Sequence, residues 1–237
     1  MQQIASTATS RTDRVPPARR LRRVTAGLCL IGFPALLIPQ AITDPTDSST
    51  FQDAAAGHPD ALLASGLLLL GSALLTFPAI GGILHQARDR GALLADIGAV
   101  FAALGALGHA VLGMIYLLMR STAGGDPAAM LAFEERFDSD DALTAVGLVL
   151  LVSFGVGLAL LAWAAWRAGI VGLWGPVLIT AVVVAHNVLP EDLPALVSVV
   201  AIGVITAVFG WIGVRTIGLS DDEWEARPAR ATVAVRG

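Results

Sequence analysis

The chain has no lysine, one cysteine, one tyrosine and few charges, with acidic and basic residues making up 14% of its 237 positions. Each shortage excludes something. A single cysteine, Cys29, set in an apolar run, rules out a disulfide framework and a cysteine-based metal site. So few charges, with a mean hydropathy of +0.73, exclude a soluble globular domain of this size and leave an integral membrane protein. The missing lysine makes all fifteen basic residues arginine, a coding bias of a high-GC genome that carries no mechanism. No basic patch interleaved with aromatics points to nucleic acid, so the partner implied is the lipid bilayer. There is no G-x-S-x-G, no H-E-x-x-H and no phosphate loop; no catalytic residue, metal ligand or cofactor is assigned, and the chain reads as non-enzymatic.

What the chain does have is long apolar runs. Six can cross a bilayer core, which needs about 20 mainly apolar residues. They are residues 24–43, 59–86, 92–119, 142–166, 170–188 and 194–217. The expectation is an all-α polytopic transmembrane helix bundle over 24–218. It lies between a disordered, Arg-rich tail (1–23) and a C-terminal tail (219–237), both cytoplasmic. The first run has the basic front of a signal peptide, Ala18 to Arg23, but is too long for one, and Pro39 disfavours cleavage, so an uncleaved anchor is expected. Between the spans, 44–60 reads as an acidic, turn-rich loop. The segment 121–141 holds a short interfacial helix opened by Asp126-Pro127, with Met130, Phe133 and Phe137 on one face. Pro78, followed by Gly81 and Gly82, should kink the second span. A tight turn over 189–193 leads into the sixth span, capped by Glu191 or Asp192 and started by Pro194.

Six spans leave both termini on one side. Every arginine except Arg120 and Arg136 then falls on that side, and the positive-inside bias makes it cytoplasmic. All five tryptophans map to the same side, whereas Asp44, Asp60, Glu134, Asp140 and their acidic neighbours map outside. The cluster Asp138, Asp140 and Asp141 lacks the Gly and the spaced Glu of a calcium loop and reads as a solvated face.

The third span, Gly91 to Arg120, is taken as the centre of the bundle. Gly98, Ala102, Gly105, His109 and Gly113 share one stripe at ~100° per residue, and small residues on a stripe let another helix come close. His109 lies roughly 16 Å along the helix from Arg120, near the midplane. It therefore faces protein, and the expectation is a neutral imidazole hydrogen-bonded to the next helix, with a proton relay or substrate contact as the functional alternative. Asp96, about 220° round from it, should reach Arg88, Arg90 or headgroup water. His186 completes the candidate intramembrane polar set of His109, Asp96 and His186. It lies only ~6 Å from the outer turn. That depth separates it from His109, disfavours a bis-histidine haem between the two, and suggests that His186 caps its own helix or pairs with Glu191 or Asp192.

The six-span layout, with the phrases AWRAGIVGLWGP and HQARDRGALLADIGAVFAALG, resembles the short six-span integral membrane proteins of high-GC bacteria that have no assigned activity. The resemblance runs from Arg23 to Leu219, rests on packing and interface residues, and implies no site. The favoured reading is a non-enzymatic accessory or interaction component that binds another membrane protein or a second copy of itself. The alternative is a small-molecule or proton-coupled transporter using the intramembrane histidine, for which three spans in and three out, with Pro78 and Pro176 in opposite halves, give some support.

Overall fold

The computed structural model describes residues 17–45, 51–121, 125–188 and 195–226, and all its regular structure is helical. The first apolar run forms α1 (Pro17–Ala35) and α2 (Leu37–Thr43), broken at Leu36. Pro39 causes the break, because it has no amide to offer the Ala35 carbonyl and its ring crowds that turn. Beside the break, the Ser72 hydroxyl donates to the Phe33 carbonyl at 2.7 Å, the kind of rescue an interrupted membrane helix needs. The second run forms α4 (Pro59–Ala87), continuous through Pro78, and the third forms α5 (Ala92–Ser121). The short helix α6 (Pro127–Asp138) follows as expected, with the Asp126 side chain accepting from the Ala128 amide; Phe133 is exposed and Phe137 half-buried, while the Met130 side chain lies outside the described residues. Asp140 caps α7 (Asp141–Arg167) and accepts from the amides of Ala142 and Leu143, a local use for that acidic residue.

Several expectations need correction. The acidic loop 44–60 contains a helix, α3 (Phe51–Gly57). Helix already begins at Pro17 inside the expected disordered tail, whose residues 1–16 lie outside the described ones. Five helical runs are long and apolar enough to cross a membrane: α1 with α2, then α4, α5, α7 and α9 (Ala195–Gly218). The expected fifth span is shorter. It forms α8 (Trp174–Val188), 15 residues that reach roughly 22 Å against a core of ~30 Å. The shortening has a local cause. Gly169 at φ +76° closes α7, with the Ile170 amide donating back to the Ala165 carbonyl, and helix resumes only at Trp174, which leaves Pro176 in a first turn. The turn 189–193, Pro194 and the caps assigned to Glu191 and Asp192 lie outside the described residues. The chain is thus a multi-pass, all-α membrane protein.

The long helices and α8 pack as a closed ring in chain order: α1 on α4, α4 on α5, α5 on α7, α7 on α8, α8 on α9 and α9 back on α1. Phe33 of α1 points inward, edge-on to Phe154 of α7 and Phe209 of α9 at 6.4 and 5.3 Å between ring centroids. The third span is not the centre. In α1–α2 and in α4, 44% of the span residues are buried, against 28% in α5. α5 packs by one face on α4 and α7 and turns Leu93, Val100, Leu107, Val111 and Leu118 outward. Its small-residue stripe does face protein, but it serves two neighbours: Gly98 and Gly105 meet α7, and Gly113 meets Gly66 of α4. The α5–α7 crossing is the tightest place. A Cβ on Gly157 would strike the Ala102 backbone, and one on Gly105 would strike the Phe154 backbone.

At the far end of α9 the expected disordered tail folds back as α10 (Asp221–Glu225) with Trp224 buried, while 227–237 lie outside the described residues. A reciprocal capping box starts it: the Ser220 hydroxyl accepts from the Glu223 amide, and the Glu223 carboxylate accepts from the Ser220 amide at 2.6 Å. Arg23, nearly buried, ties α1 to this segment by donating to the Ile217 carbonyl at 3.0 Å and pairing with Asp221 at 3.2 Å. His85 of α4 stacks on Trp224 at 4.2 Å with its Nε2 2.8 Å from the Trp224 carbonyl, and Arg88 donates to the carbonyls of Glu225 and Ala226.

Two predictions follow from this packing. Gly157→Leu should lower the thermal midpoint of the detergent-purified protein by an amount equivalent to about 1–3 kcal/mol or more, since overpacking costs that much where backbone cannot move. Gly147→Leu, where an added Cβ meets nothing within 4 Å, should leave it unchanged. The second concerns pH. The Ser220 amide, then the Ser220 hydroxyl and the charge of Arg23 hold the Glu223 carboxyl below its ordinary range. A group depressed in the folded state stabilises above its unfolded value and loses that contribution as pH falls through the folded one. Amide exchange over 221–226, corrected for intrinsic rate, should stay slow at neutral pH and accelerate as Glu223 protonates, and Glu223→Ala should show the fast exchange already at neutral pH.

Candidate functional site

Two of the three sequence candidates meet and one does not. His109 of α5 and His186 of α8 line the same cavity, about 170 Å³, which opens to the surface where His186 and Ser198 are exposed. Their different depths along the membrane normal do not keep them apart. Asp96 is exposed on the outer surface of α5, does not line that cavity, and makes no ion pair with Arg88 or Arg90. It is an interface residue near the start of its helix.

The remaining polar lining comes from Gln40 of α2 and Ser198 of α9, so four elements far apart in sequence each supply one hydrogen-bonding side chain. The rest is apolar: Leu37, Leu151, Phe154, Leu158, Val183 and Ile202 among others. Among the described residues the lining contains no carboxylate and no guanidinium. Gln40, nearly buried, gives its Nε2–H to Asp44 Oδ2 at 2.8 Å, and the same oxygen accepts from the Tyr116 hydroxyl at 2.8 Å. The amide is thereby held with its nitrogen toward Asp44, and the one tyrosine of the chain braces α5 against the end of α2.

His109 departs from its expected packing. Its Nδ1 is fully buried and has no hydrogen-bond partner, and its ring lies edge-on to Phe154 at 4.3 Å. Leaving such a nitrogen unmet in a protein interior costs about 1–3 kcal/mol, so it is a place where a ligand atom would be stabilised. The imidazole is also placed by a rigid neighbour. Phe154 is locked where Gly105 admits its backbone, and it holds the ring of His109 one helical turn further along α5.

His109, Leu151 and Phe154 line a second cavity as well, about 540 Å³, between α5 and α7. There the two helices diverge from their crossing: Gly105 and Gly108 are still in contact with Phe154 and Leu150 of α7, whereas Gly147 faces open space. Residues 141–149 of α7 are exposed, and Phe137 of α6 closes one end. Gln40, Ser198 and Tyr116 were not singled out in the sequence, because an amide, a hydroxyl and a phenol neutral at physiological pH carry little weight beside histidine and aspartate in an apolar span. An uncharged amide between Pro39 and Ala41 in an apolar span was the available signal.

Among the described residues no three His, Cys, Asp or Glu side chains gather as metal ligands. Compared with known proteins, the chain matches no family model, no curated protein and no solved structure. The arrangement itself can hold a neutral hydrogen-bonding group: two imidazoles, an amide and a hydroxyl offer both donors and acceptors, and among the described residues no carboxylate or guanidinium stands there to balance a full charge.

Proposed function

We propose that this chain is a non-enzymatic, ligand-binding protein of the cell membrane, with six crossings and both termini in the cytoplasm, in keeping with its resemblance to six-span proteins of high-GC bacteria. The sixth crossing is α8, whose place between α7 and α9 supports it even though it is short. The arginine distribution supports the orientation. One observation carries the functional reading: an unpartnered, buried imidazole nitrogen at a cavity to which four separate elements bring polar side chains. A protein that served only as a scaffold would gain stability by filling that space with apolar groups. The transporter alternative draws on the Gln40–Asp44–Tyr116 chain, which leads from the cavity to the end of α2.

Two measurements test this reading. Diethyl pyrocarbonate, a small neutral reagent for unprotonated imidazole, should modify His109 of the nanodisc-embedded protein, as mass spectrometry would register; if the exposed His58 reacts and His109 does not, the site is closed and the proposal fails. Vesicles loaded with a pH dye and given an acid jump should dissipate the gradient equally with wild type and with His109→Ala. Faster wild-type flux that the substitution abolishes would put the transporter in its place.

A further inference from the structure

We infer that the ligand is a lipid-soluble amphiphile with a neutral hydroxyl head, which reaches the inner site sideways from the bilayer through the gap between α5 and α7. This rests on the ligand-site reading above.

The inner cavity and the lateral gap adjoin one another, since His109, Leu151 and Phe154 line both. The gap is larger, about 540 Å³ against about 170 Å³, and its walls are almost wholly apolar: Val111, Leu112, Ile115, Leu143 and Leu150, with Thr144 as its one hydroxyl. A molecule that uses both has a body that lipid would dissolve and a small end that hydrogen-bonds. Gly147 keeps the passage wide, since a Cβ there would meet nothing, whereas at Gly108 α5 still packs closely on Leu150 of α7. His109 lines both spaces, so its ring is the first polar group along an apolar path, except for Thr144.

The head must be uncharged. Among the described residues neither Arg120 nor Arg136, the two arginines assigned to that side, lines either space, and no carboxylate does. A phosphate, carboxylate or ammonium head would be buried without a counter-charge, which costs far more than a hydroxyl that finds a partner. A hydroxyl also suits either tautomer of His109, since it donates to a bare nitrogen and accepts from a protonated one. The small volume of the inner cavity limits the polar end to a compact group, below the ~300–1,000 Å³ of sites for drug-sized molecules.

The probe is a long-chain fatty alcohol bearing a diazirine on its chain, added to wild-type protein in phosphatidylcholine nanodiscs, irradiated, and mapped by mass spectrometry. Crosslinks should concentrate on the facing stretches 108–115 and 143–151, and the unmodified alcohol should protect His109 from diethyl pyrocarbonate. An alkyltrimethylammonium of equal chain length and the same photoreactive group should label those stretches about tenfold less. Gly147→Leu, which narrows the gap without touching the helix crossing, should cut labelling by the alcohol while leaving His109 open to the small reagent. Crosslinks spread evenly over all lipid-facing helices would mean bulk lipid only and would overturn the inference, as would equal labelling by the cation. If His109 reacts with the reagent but the alcohol gives no protection, this inference alone falls; if His109 never reacts, the ligand-site reading falls with it.

Discussion

The close approach of α5 to α7 is the constraint on which the rest of the structure turns. Lipid supplies no hydrophobic drive between helices, so association depends on backbones coming near enough for dispersion to accumulate. Gly157 lets Ala102 in, Gly105 lets Phe154 in, and the crossing point is thereby set to within a side chain. From that point everything about His109 is geometry: one turn along α5, it meets the Phe154 ring edge-on and has nowhere to find a hydrogen-bond partner. Beyond Phe154 the two helices stay close at Gly108, where a Cβ would meet Leu150, and they open only toward the start of α7, where Gly147 faces open space.

The ring closes around a packed hydrophobic core, and the cavity lies beside it. Phe33 and Phe209 fill the axis from the α1 and α9 sides, and Phe33 meets the rings of both Phe209 and Phe154 edge-on. Past this aromatic layer the inward residues are smaller or polar, among them Gln40, Ser198 and Ala201. Cross-helix hydrogen bonds then hold the wall: Trp163 donates to Thr180 between α7 and α8, and Gln86 donates to Thr216 between α4 and α9. Bonds of this kind are each worth only about 0.6 kcal/mol in membrane proteins, so they fix register more than stability.

Much of the fold could be read from the chain, because a helix in lipid must satisfy its own backbone and apolar length therefore maps almost directly onto spans. The ends of α4, α5 and α7 fall where the apolar runs end. The α5 stripe also read correctly as facing protein, since small residues at helical spacing have little other use. What could not be read depends on three dimensions. A linear count of residues placed His186 too shallow to share a site with His109, yet a cavity with length can touch both. The centrality of the third span was inferred from its composition, whereas enclosure depends on how many neighbours a helix has, and α5 has two principal ones. α10 was missed because five residues carry no periodicity; only the Ser220-x-x-Glu223 spacing and the aromatic Trp224 marked it.

The brevity of α8 has its own consequence for the surrounding lipid. On the proposal that α8 makes the sixth crossing, its described 15 residues reach about a quarter less than the hydrocarbon to be traversed, and a bilayer relieves such mismatch by thinning beside the short element. Such a dimple would draw the aqueous surface inward along one side of the ring, so the protein should partition toward thinner membranes and leave its mark on the local shape of the leaflet it occupies.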